Sequence, residues 1–110
     1  MSSATVIEFT SDNFQSEVLD ADQPVLVDVW SEGCMPCKML SPIVEKLAGT
    51  YEGKLKVGKL DAGENGEIAS TYGINSVPTV LLFKGGEVQK TLSGLQKEKA
   101  YTAEIDKLLG

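Results

Sequence analysis

At 110 residues the chain is long enough for one compact domain with a working core, and 16 acidic against 10 basic side chains leave a formal net charge of −6. All the basic residues are lysine and histidine is absent, which excludes Ser-His-Asp triads, Cys-His nucleophile pairs and histidine metal sites. The acidic balance argues against a nucleic-acid backbone or an anionic membrane as the main partner. Residues 1–9 have no basic start, and no segment approaches the roughly 20 apolar residues that cross a bilayer. The expectation is a cytoplasmic protein whose chemistry runs on thiols, carboxylates and lysine.

In chain order, residues 5–9 predict a short strand. Asp12 is then placed to cap a helix, with Gln15 reaching back in a capping-box arrangement and Phe14, Val18 and Leu19 as the buried stripe. Residues 25–30, Val-Leu-Val-Asp-Val-Trp, are nearly continuous apolar sequence, the pattern of a central strand covered on both faces. Asp28 is the exception. From 34 to about 50, Leu40, Ile43, Val44 and Leu47 recur at helical spacing, with Pro36 tolerable in the first turn and Pro42 expected to kink the middle.

Residues 55–60 alternate as a strand, 67–72 predict a short helix and 79–83 another strand. Gly85-Gly86 suits a two-residue hairpin turn into a strand at 87–93. A last helix from about 96 carries Tyr101, Ile105 and Leu108 on one face, with Leu109 beside them. This order predicts an α/β fold, a central mixed sheet flanked by helices, over a single domain at 1–110. The acidic stretch from Asp61 looks like a calcium loop, but Gly63 stands at its third position and Tyr72 at its twelfth, so it is read as a loop and helix cap.

Cys34 and Cys37 are the only cysteines, in the run Trp30-Ser31-Glu32-Gly33-Cys34-Met35-Pro36-Cys37-Lys38. At i and i+3 on one helical turn, their sulfurs can close a disulfide without large backbone motion. The loop so closed is too short to restrain the unfolded chain much, which favours a reversible bond over a structural one. Cys34 sits where free backbone N–H groups and the positive helix end stabilise a thiolate, so it is the expected nucleophile, and Cys37, one turn deeper, the resolving thiol. The pair could also be half of a zinc site, but carboxylates or a second subunit would have to complete it.

Over essentially its whole length the chain resembles the thioredoxin family. The matching pieces are Val27-Asp28-Val29-Trp30, Cys34-Met35-Pro36-Cys37-Lys38, Pro42, Lys59-Leu60-Asp61, Gly73-Ile74-Asn75-Ser76-Val77-Pro78-Thr79, Lys84-Gly85-Gly86 and Gly94. The resemblance implies the thioredoxin fold, reduction of protein disulfides and no bound metal or organic cofactor. Electrons then come from NADPH by way of thioredoxin reductase. Met35 stands where the family commonly has Gly, and Gly33 where it commonly has a second Trp.

A charged, unpaired Asp28 inside an apolar strand would cost several kcal/mol, so it lies near the strand end or is held mostly neutral. The resemblance implies that Asp28 is buried behind Cys37 and assists its proton transfer, with Lys59 nearby. A strand lysine can equally snorkel to water. The resemblance also implies a cis Val77-Pro78 bond with Pro78 facing the cysteines and the Val77 backbone pairing with an extended substrate peptide. Trp30, Met35, Pro36, Ile74, Gly94 and Leu95 then form an apolar docking surface, unless Ile74 and Leu95 are simply core. The expected protein is a monomeric disulfide reductase; an oxidase or isomerase of the same fold and a binding module with idle cysteines are the rival readings.

Overall fold

A computed structural model describes residues 6–110. Strands β1 (Ile7–Phe9), β2 (Val25–Trp30), β3 (Lys56–Asp61), β4 (Thr79–Lys84) and β5 (Glu87–Ser93) form one sheet in the order β1-β3-β2-β4-β5. The helices are α1 (Met35–Thr50), α2 (Gly66–Thr71) and α3 (Glu98–Leu109), with a short π-helical turn at Gln15–Leu19. β1, β3 and β2 run parallel because helical crossovers separate them, while β4 and β5 are antiparallel additions. The mixed sheet between helices is as expected, and Thr5 of the first predicted strand lies outside the described residues.

The nearly continuous apolar run of β2 follows from its central place, since alternate side chains enter two different cores. Val25, Val27 and Val29 join Phe9, Phe14, Val18, Leu60, Leu81 and Phe83 on one face. Leu26 joins Leu40, Val44 and Leu47 of α1 and Tyr101 and Ile105 of α3 on the other. Gly58 of β3 faces the first core, where any Cβ would run into the Phe9 ring and come within 2.6 Å of the Ile7 carbonyl oxygen. A glycine is what lets β1 and its Phe9 close over that face.

Two local expectations are corrected. The reciprocal box does not fall on Asp12 and Gln15: the Thr10 N–H donates to Asn13 Oδ1 at 2.7 Å and the Asn13 N–H to Thr10 Oγ1 at 3.2 Å, while the Gln15 amide donates to Asp20 Oδ1. The following turn is wound wide, with the Asp20 N–H reaching back five residues to the Gln15 carbonyl at 2.9 Å. Asn65 occupies the N-cap position of α2 without capping it. Its Oδ1 accepts the Ser11 N–H at 2.9 Å and its amide donates to the Asp61 carbonyl, so it ties two loops together instead.

At the other end of the sheet, Gly85 and Gly86 make the two-residue turn between Lys84 and Glu87, which pair directly. α3 begins two residues later than expected, and the residues before it are held by Tyr101. The buried Tyr101 hydroxyl accepts the Gln96 N–H at 3.1 Å and donates to the Gly94 carbonyl at 3.3 Å.

Candidate active site

β2 ends at Trp30, and the chain turns through residues 31–34 into α1. Gly33, with φ of +80°, makes the left-handed bend just before the helix. A β-carbon there would meet nothing within 4 Å, so the backbone conformation and not space is what favours glycine. Cys34 is the N-cap of α1 and its Sγ accepts the Cys37 N–H at 3.1 Å. Sulfur thus occupies the place usually taken by a Ser or Asp oxygen. Pro36 lies in the first turn, where a missing N–H leaves no intrahelical bond unmade.

The two cysteines are joined as a disulfide with their Cα atoms 5.3 Å apart. Cys34 is half-buried and Cys37 only 5% exposed. Met35 and Pro36, on the same turn, are exposed. Among the described residues no group of three or more His, Cys, Asp or Glu side chains is placed to hold a metal ion.

Asp28, at the fourth of six positions in β2, is 1% exposed. It is therefore not at the strand end. Alternation puts it on the α1 side of the sheet, directly opposite Lys59 of β3. Burial pushes its carboxyl up from 3.8 to about 6, the nearby Lys59 ammonium pulling in the opposite sense. A cavity of about 330 Å³ is lined by both cysteines, Asp28, Lys59, Trp30 and Ser41, with Ser31, Glu32, Gly33 and Lys38 completing it. Five of the residues singled out in the sequence thus meet around one space.

Ile74, Val77, Pro78 and Gly94 do not line that cavity. They form a second group on neighbouring loops, tied by the Gly94 N–H donating to the Pro78 carbonyl at 2.8 Å. The Val77-Pro78 bond is cis and Pro78 is buried. The N–H and C=O of Val77 have no hydrogen-bond partner among the described residues. Ile74 and Val77 are half-buried against the core, while Leu95 is 38% exposed. Two participants were not singled out in the sequence. Ser41 stands four residues after Cys37, a spacing that shares a helix face, and the Tyr101 hydroxyl, which a core tyrosine must satisfy, fixes the Gly94 loop.

The thioredoxin family model matches residues 5–107. The chain belongs to the thioredoxin family. It is 47% identical over 103 residues to the thioredoxin of Chlorobaculum thiosulfatiphilum, covering 94% of this chain and 95% of that one. It is 48% identical over 98 residues to the thioredoxin of Rickettsia felis, covering 89% and 93%, and 43% identical over 101 residues to that of Pseudomonas aeruginosa, covering 92% and 94%. As a member of the thioredoxin family it is a thiol-disulfide oxidoreductase and protein-disulfide reductase, and the Cys34–Cys37 pair is its redox group. Disulfide-bearing substrates and a thioredoxin reductase are the partners that membership implies. No helix among the described residues is long and apolar enough to cross a membrane.

Proposed function

We propose that the chain acts as one domain and as a monomer in the cytoplasm, reducing protein disulfides with electrons from NADPH through thioredoxin reductase. The Cys34 thiolate attacks one sulfur of the substrate disulfide, a Cys34–substrate disulfide forms, and the other substrate sulfur leaves as a thiolate that takes a proton from water. Cys37 then gives its proton to the Asp28 carboxylate. Its thiolate attacks Cys34 Sγ, closes the Cys34–Cys37 disulfide and expels the second substrate sulfur. Two electrons have passed to the substrate, and the reductase returns two.

In this scheme Asp28 is the internal base, and its elevated carboxyl supports that role because an acceptor titrating near neutrality takes and releases a proton readily. Lys59, opposite it, adjusts its charge. The unpaired backbone of Val77 supports pairing with an extended peptide beside the buried Pro78, and Trp30, Met35, Pro36, Ile74 and Gly94 supply the apolar contacts.

The observation that carries the assignment of roles is the contrast between the two sulfurs: Cys34 is half-buried at the helix start and accepts an N–H bond, whereas Cys37 is 5% exposed. Brief alkylation of the reduced protein at neutral pH, followed by peptide mapping, will put the label on Cys34. Predominant label on Cys37 would reverse the roles. Equilibration with glutathione tests direction: the expected potential is near the roughly −270 mV established for thioredoxin, and one near −120 mV would indicate an oxidant.

A further inference from the structure

Asp28 and Lys59 face each other on hydrogen-bonded parallel strands, on the same side of the sheet. Opposite charges so placed ordinarily close into a pair. Here the described residues contain no such pair, and Asp28 Oδ1 is buried without a hydrogen-bond partner. The Lys59 ammonium donates instead to Ser41 Oγ, on the α1 turn after Cys37. Carboxylate, lysine and serine all line the cavity that also holds the cysteines.

We propose that Ser41 is a positioning residue, whose hydroxyl holds the Lys59 ammonium on α1 and off the Asp28 carboxylate, leaving that carboxylate free to receive the Cys37 proton. The proposal rests on Asp28 being the base. An ammonium bonded directly to the carboxylate would favour its anion and make it a weaker proton acceptor, whereas one held a step away still offsets part of the cost of burial. A neutral hydroxyl suits this place because it accepts from lysine without adding a charge. Other groups around Asp28 are Glu32 and Lys38 at the cavity and Tyr101 from α3, whose phenol is raised by burial and further by the Asp28 charge. None of these three receives the Lys59 proton donor.

The test is a carboxyl-carbon NMR titration of the oxidised protein, in which neither cysteine titrates and Asp28 is read alone. Ser41→Ala, a favourable helix substitution that keeps α1 intact, will let the ammonium turn to Oδ1 and move the Asp28 midpoint to lower pH by about half a unit or more. Ser41→Thr will keep the wild-type midpoint. Lys59→Met will raise it, and Ser41→Ala added to Lys59→Met will move it no further. An unmoved or raised midpoint in Ser41→Ala, or an equal shift without Lys59, would overturn the assignment. Insulin reduction by Asp28→Asn separates the underlying reading: a wild-type rate there removes Asp28 as base, while the titration still decides whether Ser41 places the ammonium.

Discussion

Val25, Val27 and Val29 of β2 enter a face without a buried charge among the described residues, packed by an aromatic trio of Phe14, Tyr72 and Phe83 with ring centroids 5.4–5.8 Å apart, where the buried Thr79 hydroxyl is satisfied by the Ser76 carbonyl. Leu26 and Asp28 of the same strand enter the face under α1 and α3, where the core is interrupted by a carboxyl, a lysine and a cavity. One strand thus serves both purposes because its side chains alternate. The first face contributes burial without chemistry. On the second, a buried carboxyl carries a cost in stability and lines the same cavity as the redox pair, so that cavity reaches into the sheet and not only into the loops above it.

The comparison predicts that the two faces can be damaged separately. Cys37→Ser will remove turnover while trapping a Cys34–substrate mixed disulfide, visible by mass under non-reducing conditions; rapid release of substrate from that variant would place resolution elsewhere. Phe83→Ala, at a position with 0% exposure on the apolar face, will cost about 3–5 kcal/mol in denaturant unfolding. It will leave the reduction potential unchanged, because both redox states lose the same packing. A shift beyond about 30 mV, equivalent to about 1.4 kcal/mol between those states, would mean that the faces are coupled.

Asp28→Asn sharpens the contrast through pH. The folded carboxyl sits at about 6 against an ordinary 3.8, so the folded state binds this proton more tightly than the unfolded state does. Stability from this group is therefore full below about pH 4 and falls as pH rises to about 6, by about 3 kcal/mol in all. Oxidised Asp28→Asn will be more stable than wild type by up to that amount at pH 7, with the gap closing toward pH 4. Its rate of insulin reduction will be roughly tenfold to a hundredfold lower, at or below the low end of general-base effects because water substitutes in part. A stability gap that does not vary with pH would show that another group is titrating.

How much of this was legible depended on the range of the interactions involved. α1, β2 and β4 could be read because apolar spacing reports local periodicity, and the redox pair because two cysteines at i and i+3 make their own argument. Asn65 could not, since its side chain is drawn from the helix it precedes to Ser11, 54 residues earlier. Thr10 and Asn13 outcompeted Asp12 and Gln15 through a local exchange of bonds that several neighbouring polar residues offer equally well. For Asp28 the composition of the strand posed two alternatives, and only its burial at the fourth of six strand positions decided between them. Ser41 is an ordinary helix residue until β3 brings a lysine to it. Gly33 was plain in the sequence, but the left-handed bend it makes is a backbone fact.

Met35→Gly is the smallest expected effect and the narrowest test of where the site ends. Met35 lies between the nucleophile and Pro36, yet it is 63% exposed and absent from the cavity lining. The N–H that Cys34 Sγ accepts belongs to Cys37, and the backbone that positions it is held by the helix and not by the methionine side chain. Replacing Met35 by Gly mainly loosens the first helical turn, at a cost of roughly 0.5–1 kcal/mol. If all of that fell on one redox state, the potential would move by about 10–20 mV, since 30 mV corresponds to about 1.4 kcal/mol. Docking is another matter, because a flexible thioether beside the nucleophile offers adaptable apolar contact. The expected result is a small shift in the glutathione equilibrium together with a higher KM for an apolar disulfide peptide and little change in kcat. A potential moved by more than about 60 mV would extend the redox site out to the exposed side of α1.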